Sequence, residues 1–280
     1  MNEAQSPFGK SLYLNINSLD FGLDYGLSNR ARLSLVVPLS RGTHSRFYAD
    51  GLRHKVSSEG LGDINVTGSL WLRDPATERT ANAQIGIGIK TPSGRNDGID
   101  NYYVPGGVKK FTVDQSIQTG DGGWGLILEA NGYRQLFHNG YGYASGSYLI
   151  SPRNQTSVLQ SPSGPYATVH VGVPDVFNAR AGLAWAAWPD RGFSLSLGGR
   201  IDGIPYRDVI GTNDAFRRPA IVGFIEPGLN LVRGSSTFTM SVPLLAYADF
   251  RPSAVDKKLG KSGGGDLARR LYFVSYKRRM

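Results

Sequence analysis

Ala31-Arg32-Leu33-Ser34-Leu35-Val36-Val37-Pro38-Leu39 places Leu33, Leu35, Val37 and Leu39 on one side of an extended chain, and Arg32 and Ser34 on the other. The same alternation returns at 63–72, with Ile64, Val66, Leu70 and Leu72 opposed to Asp63, Asn65, Thr67 and Ser69. It returns again at 82–90, 193–202, 221–231 and 238–246, where Ile85, Ile87 and Ile89, or Phe238, Met240, Val242 and Leu244, form the apolar side. A period of two is the signature of a strand with one apolar and one polar face. Less regular segments at 11–25, 122–137, 141–151, 174–188 and 267–280 bring the expected total to eleven strands; in the last, Tyr272, Val274, Tyr276 and Met280 share a face.

The connections between these segments alternate in length. Leu27-Ser28-Asn29, Asp74-Pro75-Ala76-Thr77, His138-Asn139-Gly140, Pro189-Asp190-Arg191-Gly192 and Gly234-Ser235-Ser236 read as tight turns, since Gly, Pro, Asn, Asp and Ser favour turn geometry. Between them stand long polar stretches at 41–59, 93–119, 152–172, 206–217 and 251–266. Short periplasmic turns alternating with long extracellular loops characterise outer-membrane barrels. The expected fold is therefore all-β, an antiparallel up-and-down transmembrane β-barrel forming a single domain over residues 1–280. The expected location is the outer membrane of a Gram-negative bacterium.

An odd strand count conflicts with barrels of this kind, which have an even number and no open edge in lipid. About twelve strands are expected in the native protein, about eleven of them within this sequence and the first missing. Residues 1–10 are then the remnant of an extracellular loop. Met1-Asn2-Glu3-Ala4-Gln5-Ser6 lacks the basic start and apolar stretch of a signal peptide, so an export signal is expected upstream.

Composition agrees. The chain of 280 residues has 37 Gly, 14 Tyr and 12 Phe, the glycines suiting sharp bends and the aromatics suiting interface girdles. It has no Cys, which removes disulfides, thiol nucleophiles and cysteine-held metals. The formal net charge is +9; it is read as ordinary charged loops rather than a ligand field. No basic helix, zinc module or RNA-binding aromatic motif is present, so nucleic acid is not an expected partner.

Other motifs punctuate the chain: Gly60-Leu61-Gly62-Asp63, Gly88-Ile89-Lys90-Thr91-Pro92-Ser93-Gly94, and Gln115 to Gly123 leading into Trp124. They are followed by Arg217-Arg218-Pro219, Glu226-Pro227-Gly228 and Ser241-Val242-Pro243. In this order, over roughly residues 60–280, they resemble the transporter-like outer-membrane barrels of the family labelled "MetA-pathway of phenol degradation". The resemblance implies an outer-membrane barrel with a transport role and carries over no catalytic residue. This chain departs from the pattern in lacking a signal peptide and an earlier strand, and in ending on Met280 instead of an aromatic.

If the apolar faces meet lipid, Asp63, Lys90, Glu129, Arg200, Asp202 and Glu226 face the interior and are the candidate lumen-lining residues. Six ionisable groups in a narrow space must pair or be hydrated. They read either as a selective polar path or as a salt-bridged plug. Pro92, Pro227 and Pro243 are expected at rims or bulges, where a missing N–H costs least.

His44, His54 and His170 fall in stretches read as long loops, and His138 in a tight turn. None stands in a hydrolase or zinc-protease motif, and no paired-ligand spacing for a metal occurs. The protein is thus expected to be no enzyme and to use no cofactor. The leading expectation is a monomer admitting a small solute passively, hydrophobic or aromatic solutes included. The expected partners are that solute, outer-membrane lipid and lipopolysaccharide, and the barrel-insertion machinery. A structural or surface-interaction barrel with a plugged lumen is the alternative, and an outer-membrane lipid hydrolase a remote one.

Overall fold

A computed structural model describes residues 12–265 and 267–279 of the chain. Residues 1–10, expected as a loop remnant, and Met280 lie outside the described residues.

Strands β1 (Tyr13–Gly26) and β2 (Ala31–Phe47) form the first antiparallel pair. β3 (Arg53–Leu61) and β4 (Asn65–Trp71) both pair with β2 and are two halves of one column, interrupted at Gly62-Asp63-Ile64. β5 (Ala81–Lys90) follows, and the connection after it folds its own hairpin, β6 (Ile99–Val104) with β7 (Gly107–Thr112). β8 (Gly125–Phe137) and β9 (Gly140–Ile150) continue the sheet. The next connection carries the small pair β10 (Gln155–Leu159) and β11 (His170–Gly172). Then come β12 (Val176–Trp188), β13 (Phe193–Ile204) and β14 (Ala220–Arg233). β15 (Ser236–Ser241) and β16 (Leu244–Phe250) both pair with β14 and are again halves of one column, broken at Val242-Pro243. Helix α1 (Ala254–Lys258) precedes β17 (Phe273–Arg278), which pairs with β15.

The main sheet is antiparallel throughout, in the order β1-β2-β4-β5-β8-β9-β12-β13-β14-β15-β17, and it curls into a half-barrel. Side-chain contacts on one face span several strands, which is what curvature requires. The Arg200 guanidinium on β13 lies 5.0 Å from the Phe273 ring on β17. Lys277 on β17 is ion-paired with Asp24 on β1, at the opposite end of the sheet.

Burial alternates along the strands, but in the reverse sense to a water-soluble sheet. On β14, Val222, Phe224 and Glu226 are buried while Ile221 and Ile225 are 40% and 53% exposed. On β5, Ile85, Ile87 and Ile89 are all more than half exposed, whereas Asn82, Gln84 and Lys90 are buried. Large aliphatic side chains thus cover the convex face, and the concave face is mostly polar, with Val222 and Phe224 of β14 among its apolar members.

The breaks have local causes. Pro227 lies within β14, where it can donate no ladder hydrogen bond. It is opposite the Val242-Pro243 interruption, and its carbonyl still accepts from the Val242 N–H at 3.0 Å. The missing N–H and the missing strand pairing thus coincide, as expected for prolines in sheets.

Two expectations need correction. Residues 41–59 are no loop: β2 and β3 extend as a tall hairpin whose turn occupies 48–52, which puts His44 and His54 on strands. The stretch Arg41-Gly42-Thr43-His44-Ser45-Arg46 is polar on both faces, so it lacks the alternation that identifies a strand, yet backbone ladder bonds need none. His170 likewise lies on β11.

Candidate functional site on the concave face

Directly opposed residues in an antiparallel ladder share a face, so the register sorts the concave side into rows. One row runs Gln84, Asn131, Ser145, Arg180, Arg200, Phe224 across β5 to β14. A second runs Glu129, Ser147, Asn178, Asp202, Val222. A third runs Tyr133, Tyr143, Gly182, Gly198, Glu226. In that third row the two glycines matter. A Cβ on Gly182 or Gly198 would lie 2.8 Å or 2.5 Å from the Tyr143 hydroxyl, so bare backbone at both places lets the tyrosine lie flat on the inner wall.

The six residues expected inside separate into distinct settings. Lys90 is buried at the end of β5, and its ammonium donates to Asp63 Oδ2 at 3.1 Å, Asp121 Oδ1 at 2.5 Å and the Gly123 carbonyl at 2.7 Å. Asp63 occupies the break between β3 and β4 and also accepts from the N–H groups of Gly94 and Asp121. The Gly-Leu-Gly-Asp and Lys-Thr-Pro-Ser-Gly motifs therefore meet in one charged knot at the rim. Burial pushes the Asp121 carboxyl upward, against the pull of the Lys90 ammonium.

Arg200 and Asp202, one strand position apart on the same face, form a forked pair with Nε–O distances of 3.0 and 2.8 Å. Glu226 is buried; its Oε1 accepts from Ser241 Oγ at 2.8 Å and lies 3.8 Å from Arg180. Its Oε2 has no hydrogen-bond partner among the described residues. Glu129 has no ion-pair partner among the described residues. The structure therefore joins Asp63 with Lys90 and Arg200 with Asp202, and leaves Glu129 and Glu226 apart from both.

Sequence reasoning missed Arg180, Asp121 and the loop ion pairs. The two terminal guanidinium nitrogens of Arg217 donate to the two carboxylate oxygens of Asp208, at 2.6 and 2.5 Å, and both side chains are almost wholly buried. Asp175, fully buried, accepts from the Ser151 and Val209 N–H groups and the Tyr148 hydroxyl. Arg218 forks onto Asp114 at 3.0 and 2.8 Å, across 104 positions of sequence. Burial alone would raise the Asp114 carboxyl, but the Arg218 guanidinium and the Ser116 N–H hold it far below the usual carboxylate range. No single-sequence signal links residues so distant.

Three cavities follow one another along this face. The largest, about 720 Å³, lies against the row of Gln84, Asn131, Ser145, Arg180, Arg200 and Phe224. The next, about 450 Å³, begins at Asp202 and Val222, two residues further along the same strands, and ends at Gln115, Gln118, Asp121 and Arg218. The third, about 230 Å³, shares those last four residues and opens among Tyr102, Phe111 and Tyr166 of the long connections.

Compared with models of known protein families and with characterised proteins, the chain has no significant match.

Proposed function

We propose that this chain is the greater part of a monomeric bacterial outer-membrane barrel of the transporter-like kind, and that it admits a small solute passively through its interior. The observation that carries the reading is the inverted burial: aliphatic side chains exposed on the convex face, ionisable and amide side chains gathered on the concave one. Lipid-spanning barrels need that arrangement, with apolar residues outward and a polar interior. The chain of cavities supplies room for a solute, and the motif order from Gly60 to Pro243 supports the family resemblance.

The count of about twelve strands belongs to the same proposal. β1 and β17 stand first and last in an eleven-strand antiparallel path, so they run in the same direction. One additional strand of opposite direction would pair antiparallel with both and remove two open edges, which hydrocarbon does not tolerate.

The test is planar-bilayer conductance together with liposome uptake of uncharged solutes, using the purified protein. Discrete conductance steps or solute entry support the reading; silence in both removes it. The charge pairs Lys90–Asp63 and Arg200–Asp202 favour a second reading, a blocked interior serving a structural or surface-binding barrel. Arg200→Ala and Glu226→Gln separate the two: a changed conductance supports passage, and a lowered melting temperature without any conductance supports the plug.

A further inference from the structure

The segment 113–121 has one cavity on each side. Gln115, Gln118, Gly120, Asp121 and Arg218 line both the 450 Å³ chamber facing the sheet interior and the 230 Å³ chamber among the outer connections. The segment is therefore the partition between them.

Its attachments are unlike at its two ends. Toward β2 and β5 it is anchored by packing and by the buried charge knot. Ile117, 2% exposed, presses on β2 so closely that a Cβ on Gly42 would stand 2.6 Å from its own Cβ. Val113 packs with Ile117, Tyr48 and Val56, and Asp121 is bound to Lys90. Toward β11 and β14 the contacts are polar: the forked Arg218–Asp114 pair and a bond from Gln115 Nε2 to the Gly172 carbonyl at 3.0 Å. Apolar packing and a buried knot resist displacement. The polar contacts toward β11 and β14, made through an Arg218 side chain that is 27% exposed, can be exchanged for bonds to water as the two sides part, which apolar packing cannot.

We propose that segment 113–121 is a hinged door across the passage, fixed at the β2–β5 wall and latched to the opposite wall by Asp114 and Arg218. Releasing the latch joins the two chambers into one route. This deepens the transport reading by naming what controls the same path, and it rests on that reading.

The chain has no cysteine, so paired cysteines can be placed without background labelling. In Asp114→Cys/Arg218→Cys the ion pair is absent until a short, reducible bis-thiosulfonate cross-linker restores the tether. Conductance is measured in planar bilayers before cross-linking, after it, and after reduction, alongside wild type and the exchanged pair Asp114→Arg/Arg218→Asp. The expected result is open probability several-fold above wild type without the cross-linker, closure with it, and recovery on reduction, while the exchanged pair stays near wild type. Equal conductance in the cross-linked and reduced forms overturns the door and leaves passage through the barrel standing. Silence of every form, the reduced double variant included, overturns the door and the transport reading together. Circular dichroism of each variant shows whether the sheet is intact. Should the double variant fail to fold, Arg218→Gln alone carries the same comparison, and an open probability no higher than wild type overturns the proposal.

Discussion

Lys277 on the last strand is ion-paired with Asp24 on the first, 253 positions earlier. No ladder bond joins β17 to β1, yet this side-chain contact reaches between the two borders of the sheet. Asp24 also accepts from Ser34 at 2.5 Å and lies 3.6 Å from Arg32. Lys277 is more than half exposed, so Lys277→Ala should cost under about 1 kcal/mol in denaturant unfolding. A loss several times larger would mean that the borders depend on this contact for their approach.

Lys90 should behave otherwise. It is the shared cation of two carboxylates in a buried knot. Lys90→Met leaves Asp63 and Asp121 without it, and stripping one partner from a buried ion pair costs about 3–5 kcal/mol. Urea unfolding in detergent measures the loss. Lys90→Met/Asp121→Asn should recover part of it, because an uncompensated charge is then removed as well.

Gly42 is required for close approach. A methyl group there would stand 2.6 Å from Ile117 Cβ and 2.8 Å from its Cα, leaving no room without moving the segment. Gly42→Ala should destabilise by about 1–3 kcal/mol, the usual range for forcing extra volume into packed surroundings. Faster amide exchange over 113–121 than over β5 would show that the damage is local.

Tyr166 gives a pH dependence of defined sign. Burial, and then the Asp256 carboxylate that accepts its hydroxyl proton at 2.5 Å, raise its ionisation above the usual tyrosine value. A raised folded value means that the folded state holds this proton more tightly than the unfolded state. The stabilisation is complete below the unfolded value, about 10, and is lost as pH rises through the folded one. Unfolding midpoints should fall between about pH 10 and 12 in wild type and fall less in Tyr166→Phe. At neutral pH that variant should cost about 1–3 kcal/mol, since the carboxylate loses a hydrogen bond. Parallel pH curves for the two proteins would contradict this account.

Much of the sheet was legible from alternation, and the places where legibility stopped have physical causes. Strands such as 82–90 and 221–231 expose one chemistry on each side, so period two identifies them. The upper halves of β2 and β3 are polar on both sides, and the pattern vanishes although the ladder continues. Hairpin β6–β7 and the pair β10–β11 were missed for the same reason, being short elements within polar stretches. At the site, alternation separated Glu129, Arg200, Asp202 and Glu226 from their aliphatic neighbours. It carried no information on pairing: Lys90 meets Asp121 through a turn 31 positions away, and Arg218 meets Asp114 across two folded connections. Such contacts depend on how loops close in space, which local periodicity does not encode.

Gly182 and Gly198 contribute almost nothing to the inner wall, and that is how they act. Because they leave the backbone bare, the phenol of Tyr143 rests sideways against it. A side chain at either place would crowd that hydroxyl, and the backbone of the adjacent strand with it, and would lift the ring off the wall. The clearance over the concave face at this row is thus set by two residues through the atoms they lack, and a methyl group where either carries hydrogen would narrow it.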